Sequence, residues 1–337
     1  MGRRSQSDPA ELITDPGVLH ATPTLEVFDH RAAAAVGGVS VVPHRGRWRA
    51  ARKRGVDARG WFDDELDGGF TQAVVHLQKG RAATEQGLAE AWNRLDTSGR
   101  LLLAGGNQLG VKSAVKRLTS VIGVEPEIVA NRARARVVCW PKSDAEIPAP
   151  EIEPIRVAEA GGAMVLHSAP GVFSADDIDP GTALLLGHLD RCPAPERIFD
   201  PGCGLGVLGL AALRRWSGAS AVVADVDRRA VHCARRNAEG LGLADRCEAA
   251  WWDAVTEPPP LARCDLVLLN PPFHTGVPVD LQPARSIFTA VDEVLAPGGL
   301  ALVVANRTLP WERDLRELGR LRLLEDRRGY KVLELSR

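Results

Sequence analysis

The chain has 337 residues, 45% hydrophobic and 25% charged, with a formal net charge of −1. That is room for two ordinary globular domains, and no apolar stretch is long enough for a membrane span. Six cysteines at 139, 192, 203, 233, 247 and 264 show neither C-x-x-C nor paired histidine spacing, so neither a disulfide framework nor a metal centre is expected.

Met1 to Ala10 carries Arg3 and Arg4 with no apolar run behind them, which speaks against a secretory signal and for a frayed terminus in a cytoplasmic protein. Charge is uneven: residues 1–150 hold 21 basic and 17 acidic side chains, residues 151–337 hold 21 and 26. The basic excess gathers at Arg45, Arg47, Arg49, Arg52, Lys53, Arg54 and Arg59, with Trp48 between them and Asp57 the one acid. Guanidinium groups suit phosphate and stack on bases, so this run is a candidate RNA contact; a solvated helix face is the competing reading. Ala73 to Gln78 reads as a strand, and Leu95-Asp96-Thr97-Ser98-Gly99-Arg100-Leu101-Leu102 as a glycine turn entering another. Gly105 to Ser113 nearly matches a phosphate loop, but Val111 between Gly110 and Lys112 turns the lysine away by about 100° on a helix. It reads as a plain strand–turn–helix connection. Pro141 to Pro154 is proline-rich, acidic and without period, and marks the domain boundary.

Beyond it, Arg156 to His167 is strand material broken by Gly161-Gly162, and Asp179-Pro180 opens a helix as N-cap and first residue. Strands and helices then alternate: 197–200 and 207–216, 221–225 and 229–240, 247–252, 265–269 and 283–295, 300–305. This alternation predicts a parallel sheet covered on both faces. Leu321 to Leu324 and Tyr330 to Leu335, joined across residues 325–329, close the chain as a hairpin. Leu295 to Leu302 echoes Leu95 to Leu102 at a spacing of 200, which suggests that the first half duplicates the second. The first half has no Asn-Pro-Pro and no acid before a glycine-rich turn, so the duplicate is expected to lack a cofactor site.

Three strand ends carry acids suited to one ligand. Asp200 precedes the turn Gly202-Cys203-Gly204-Leu205-Gly206, where a carboxylate favours an ammonium and repels a pyrophosphate. Asp225, before Val226, can accept from ribose hydroxyls, and Asp253, before Ala254, from an adenine amino group. Gly204 to Gly209 also satisfies the dinucleotide pattern G-x-G-x-x-G, which keeps a nicotinamide-dependent oxidoreductase as a rival. Asn270-Pro271-Pro272-Phe273 ends the strand at 265–269 with two acceptors and a flat ring. The Asn270 amide and the Pro271 carbonyl can hold an exocyclic amino group, Pro272 stiffens the loop, and Phe273 can stack on a base. His274 is read as a loop cap.

From about residue 165 the chain resembles the class I methyltransferases. More narrowly, it is similar to the ribosomal RNA guanine-N2 methyltransferases, the family that holds methyltransferase C of the small ribosomal subunit and methyltransferase G of the large one. The resemblance rests on Gly171-Val172-Phe173-Ser174, Asp179-Pro180-Gly181-Thr182, Asp200 to Gly206, Asn270 to His274 with Gly276, Val304-Ala305-Asn306 and Tyr330-Lys331-Val332. It implies two Rossmann-like α/β domains in tandem. The first, 1–145, would be degenerate and RNA-binding; the second, 156–337, catalytic, with a seven-stranded mixed sheet and an antiparallel final strand. It implies S-adenosylmethionine as cofactor, held by Phe173, Thr182, Asp200, Gly202, Gly204, Gly206, Asp225, Val226, Asp253, Ala254 and Asn270. Asn270, Pro271, Pro272 and Phe273 would serve catalysis, with ribosomal RNA or a ribosomal subunit as partner, no metal, and a monomer as the default. Adenine and protein-glutamine N-methylation share the shorter Asn-Pro-Pro-aromatic pattern and stand as alternatives, as does a non-catalytic RNA-binding protein.

Overall fold

The computed structural model describes residues 9–62, 66–158, 162–272 and 281–337. The chain divides into two compact units, Met1–Glu151 and Ile152–Arg337, a division that falls inside the proline-rich stretch. The first unit runs α1 (Pro9–Ile13), β1 (Thr24–Val27), α2 (Arg31–Val36), β2 (Gly38–Val41), α3 (Arg45–Lys53), β3 (Asp57–Arg59) and β4 (Phe70–His76). It continues α4 (Arg81–Asn93), β5 (Leu95–Gly106), α5 (Val111–Ile122), β6 (Glu127–Arg132) and β7 (Ala135–Pro141). Its sheet has the order β3-β2-β1-β4-β5-β7-β6, parallel except for β7, which is antiparallel to both neighbours. The proline-rich stretch is not wholly a tether. Ile147 is buried in the first core, and the Trp92 indole donates to the Ala145 carbonyl while Lys142 Nζ donates to that of Trp92. Proline removes regular structure, but these residues still find an apolar surface to cover.

The second unit begins with β8 (Ile155–Val157) and β9 (Met164–Leu166), a small antiparallel pair. Then come α6 (Pro180–Leu186), β10 (Arg197–Pro201), α7 (Val207–Arg215), β11 (Ser220–Asp225), α8 (Arg228–Gly240), β12 (Cys247–Trp251) and β13 (Cys264–Leu269). It ends with α9 (Gln282–Val294), β14 (Leu295–Asn306), α10 (Trp311–Arg316), β15 (Arg320–Arg327) and β16 (Tyr330–Ser336). The order β12-β11-β10-β13-β14-β16-β15 repeats that of the first unit, with β16 again antiparallel. Alternation along β13 explains the three layers. Leu266 and Leu268 face one apolar cluster with α7 and α8, while Val267 and Leu269 face another with α9 and α10.

The closing hairpin is longer than its apolar pattern suggests. β15 extends through Glu325, Asp326 and Arg327, because an edge strand tolerates charged side chains on its open side. The connection shrinks to Arg328-Gly329, both at positive φ (53° and 85°), the primed turn that matches strand twist. The phosphate-loop look-alike is a strand–turn–helix connection in which left-handed Gly110 caps α5. No helix among the described residues is long and apolar enough to cross a membrane.

Candidate active site

In an open α/β sheet, ligands settle at the carboxyl ends of the strands where neighbouring connections diverge to opposite sides. Here that point lies between β10, which leads to β11, and β13, which leads to β14. A recess of about 40 Å³ opens there, lined among others by Phe173, Asp179, Thr182, Asp200, Gly202, Gly204 and Asn270. That volume accepts a few heavy atoms, so a larger ligand would seat one end here and extend along the open sheet edge.

Asp200 forms the floor. It is 1% exposed, and its Oδ2 accepts the Gly209 N–H at 2.9 Å. Burial pushes its carboxyl up to about 7, which the Gly209 N–H opposes and nearby Asp225 reinforces. An opposite charge brought beside this carboxyl would favour its ionised form. The glycine turn crosses in front of it. Gly202, Gly204 and Gly206 all have positive φ (79°, 54° and 82°), conformations that side chains resist. The Gly204 N–H donates to Asp225 Oδ2 at 2.9 Å, and the Asp227 N–H donates to Asp225 Oδ1 at the same distance. Burial raises the Asp225 carboxyl to about 6.

Asn270 defines the opposite wall. Its Nδ2 donates to Asp179 Oδ2 and to Thr182 Oγ1, each at 2.9 Å. Both amide hydrogens are therefore committed, and Oδ1 is left as an acceptor. Asp179 also caps α6 through the Thr182 N–H, and burial and then this nearby carboxylate raise the Tyr330 hydroxyl above its usual value. The segment carrying Phe173 is anchored by Asn237, whose amide bonds to the backbone N–H and carbonyl of His167 and to the Leu205 carbonyl. Phe173 itself is 57% exposed, an aromatic ring left open at the mouth of the recess.

The structure thus gathers Phe173, Thr182, Asp200, Gly202, Gly204 and Asn270 in one recess. Gly206, Asp225, Val226, Asp253 and Ala254 are off its lining. Asp225 and Asp253 nevertheless continue the same edge, Asp225 at the end of β11 beside β10 and Asp253 just past the end of β12, one strand further. Asp253 is buried and caps its own turn, Oδ1 accepting from the Val255 N–H and Oδ2 from the Thr256 hydroxyl. From Asn270 through Asp200 and Asp225 to Asp253 the row crosses three strand spacings, roughly 14 Å, the length of a nucleoside joined to an amino acid. Pro271 is buried and Pro272 exposed; Phe273 and His274 lie outside the described residues. Asp179 and Asn237 were not foreseen as site residues. An N-cap aspartate and a helical asparagine look the same in sequence whether or not they also hold a neighbour.

Residues 163–334 match the methyltransferase small domain family. The small-subunit rRNA methyltransferase C of Pseudomonas aeruginosa (strain LESB58) is 33% identical over 301 residues, covering 86% of this chain and 88% of that protein. The Pseudomonas fluorescens protein of the same name is 32% identical over 275 residues, 80% of each chain. The chain belongs to this methyltransferase family. A solved T. thermophilus 16S rRNA guanine-N2 methyltransferase, in complex with AdoMet and guanosine, superposes with a TM-score of 0.85 at 26% identity, covering 98% of this chain and 92% of that one. Membership settles the fold reading, two tandem methyltransferase sheets, and removes the oxidoreductase rival. In the structure, Gly209 of the dinucleotide look-alike has its N–H on Asp200, and a Cβ there would stand 2.5 Å from Val223 Cγ1, so this glycine serves helix–strand packing.

The first unit retains the outline of the same site. Leu25 pairs with Ala73 and Ala73 with Leu101; in the second unit Phe199 pairs with Val267 and Val267 with Ala301. Glu26 therefore stands where Asp200 stands, and His76 where Asn270 stands. Glu26 Oε2 accepts from the N–H of Ala33, the third residue of α2, as Asp200 does from Gly209, the third residue of α7. The other oxygen, Oε1, meets His76 Nε2 at 2.7 Å, and both residues are buried. Where the second unit has a recess beside its buried acid, the first has an imidazole against it. Asp29 adds a third potential ligand atom within 4.8 Å, a grouping that its sequence spacing did not announce.

The basic run expected to contact RNA forms α3 and its end. Arg45, Arg47, Arg49, Arg52 and Lys53 are on this helix and Arg54 caps it, with the guanidinium of Arg45 4.9 Å from the Trp48 ring centroid and that of Arg52 5.8 Å from it.

Proposed function

We propose that the protein transfers a methyl group from S-adenosylmethionine to the exocyclic N2 of a guanine in small-subunit ribosomal RNA. The carrying observation is the locked Asn270 amide: with Nδ2 held by Asp179 and Thr182, Oδ1 points its lone pairs at an incoming amino group. The guanine N2 lone pair is delocalised into the ring, so the nitrogen must be oriented rather than deprotonated beforehand. Asn270 Oδ1 and the Pro271 carbonyl would accept its two hydrogens and turn the lone pair outward. The recess and the sheet edge beside it would take the donor: Asp200 the ammonium, then along the edge Asp225 the ribose and Asp253 the adenine, with Gly202 and Gly204 allowing close approach. When bound, S-adenosylmethionine supplies a sulfonium methyl, the electrophile this geometry requires.

We assign catalysis to residues 156–337 and RNA-backbone contact to the first domain, 1–145, through Arg45, Arg47, Arg49, Arg52, Lys53 and Arg54. Ribosomal RNA or a ribosomal subunit in the cytoplasm is then the partner. The test is mass spectrometry of nucleosides after incubation with unmodified small-subunit RNA, both free and assembled. N2-methylguanosine is expected, and Asn270→Ala should lower its rate of formation by about 100-fold with donor affinity nearly kept. N6-methyladenosine as product, or normal turnover by Asn270→Ala, would overturn the assignment.

A further inference from the structure

A second cavity of about 190 Å³ lies on the other side of α6, lined by Pro180, Ala183, Leu184, Arg327, Arg328 and Tyr330. Tyr330 lines this cavity with its ring beside Gly181, on the same helix as Thr182, which with Asp179 holds Asn270. The chemistry of the lining is divided. Pro180, Ala183, Leu184 and the Tyr330 ring offer an apolar surface, and two guanidinium groups stand on the hairpin side.

The charges of the hairpin have been sorted. Asp326 is paired with Arg307, and Lys331 with Glu312. Glu325 Oε2 bonds to His188 at 2.8 Å, and its Oε1 is 3.9 Å from Arg327. Arg328 has no ion-pair partner among the described residues and is exposed. It also occupies the left-handed region at φ 53°, where asparagine or glycine would cost less. A two-residue turn fixes the direction in which that side chain leaves the backbone.

We propose that this cavity receives the nucleotide next to the target guanosine, its base or ribose on the apolar face and its phosphate on Arg327 and Arg328. An apolar ledge beside paired guanidinium groups is the complement of a nucleotide and a poor one for an acidic peptide, which has no ring to place on the ledge. Seating the neighbour there would hold the RNA strand while the guanine turns into the Asn270 recess. This rests on the guanine-N2 reading and adds to it a site that selects single-stranded RNA.

The experiment compares wild type with Arg327→Gln/Arg328→Gln, both in full-length protein, on unmodified small-subunit RNA at several salt concentrations. The double variant should raise KM for RNA at least tenfold with kcat within about threefold. The slope of log affinity against log salt should fall by about 1.4, two phosphate contacts at about 0.7 each. Donor affinity by calorimetry and the unfolding temperature should not move, because both side chains are exposed at the hairpin turn. Arg327→Lys/Arg328→Lys should recover part of the loss. Unchanged KM and salt slope in an active enzyme would overturn the subsite alone. Wild type that forms no N2-methylguanosine in any such RNA would remove the function reading and the subsite together.

Discussion

Asp200 carries the clearest consequence at the scale of one residue. Its carboxyl is raised to about 7 by burial, against about 3.9 in an unfolded chain. The ligand-free fold therefore favours the protonated form. Its contribution to stability is full below about pH 4 and is lost as pH rises through 7, on the order of 4 kcal/mol in all. A donor bearing an ammonium binds the ionised form and reverses that loss. Donor affinity should weaken by up to tenfold per pH unit below 7, be level between about 7 and 8, and fall again where the donor's own α-amino group loses its proton. The donor-induced rise in unfolding temperature should be larger at pH 8 than at pH 6. Calorimetry and thermal denaturation from about pH 5.5 to about pH 8.5 measure both, and Asp200→Asn should flatten the dependence. A pH-independent affinity in wild type would separate Asp200 from the ammonium.

At the scale of elements, the site depends on how closely α7 lies against the sheet. Gly209 allows that approach, since a Cβ at this position would stand 2.5 Å from Val223 Cγ1 and 3.2 Å from Asp200 Oδ2. Gly209→Ala should push the helix outward, cost about 1–3 kcal/mol, and loosen the N–H that steadies Asp200. Val223→Ala removes the obstructing methyl and should restore much of the stability when combined with it. If the pair is no more stable than Gly209→Ala alone, packing against Val223 is not the reason for this glycine. The strands and helices here were legible because apolar residues keep clean periods and the breaks fall at glycine and proline. The position of the three acids, Asp200, Asp225 and Asp253, was legible because each comes at the end of an apolar strand. Asp179 and Asn237 were not, since their roles arise from segments 91 and 70 residues away. The length of β15 was also missed, as edge-strand pairing depends on backbone groups that no side-chain pattern reports.

Across the whole molecule, one topology appears twice and its ligand position has had two fates. The 200-residue echo between β5 and β14 carried the duplication in sequence, but the fate of the first site could not be read there. Glu26 and His76 are 50 residues apart and meet only because β1 and β4 are neighbours. In the second unit the buried acid faces an open recess; in the first it faces an imidazole of the same chain. The first half should accordingly bind no donor, so that calorimetric titration gives one S-adenosylmethionine per chain. His76→Ala would leave the Glu26 carboxylate buried without its partner, at a cost of about 3–5 kcal/mol by the behaviour of broken buried pairs. Replacing both residues together, Glu26→Leu with His76→Leu, removes the charge as well and should recover most of that loss. Urea denaturation of the three proteins decides the matter. If His76→Ala unfolds at the wild-type midpoint, the imidazole is not what satisfies this acid; a midpoint well below that of the double variant shows that it is.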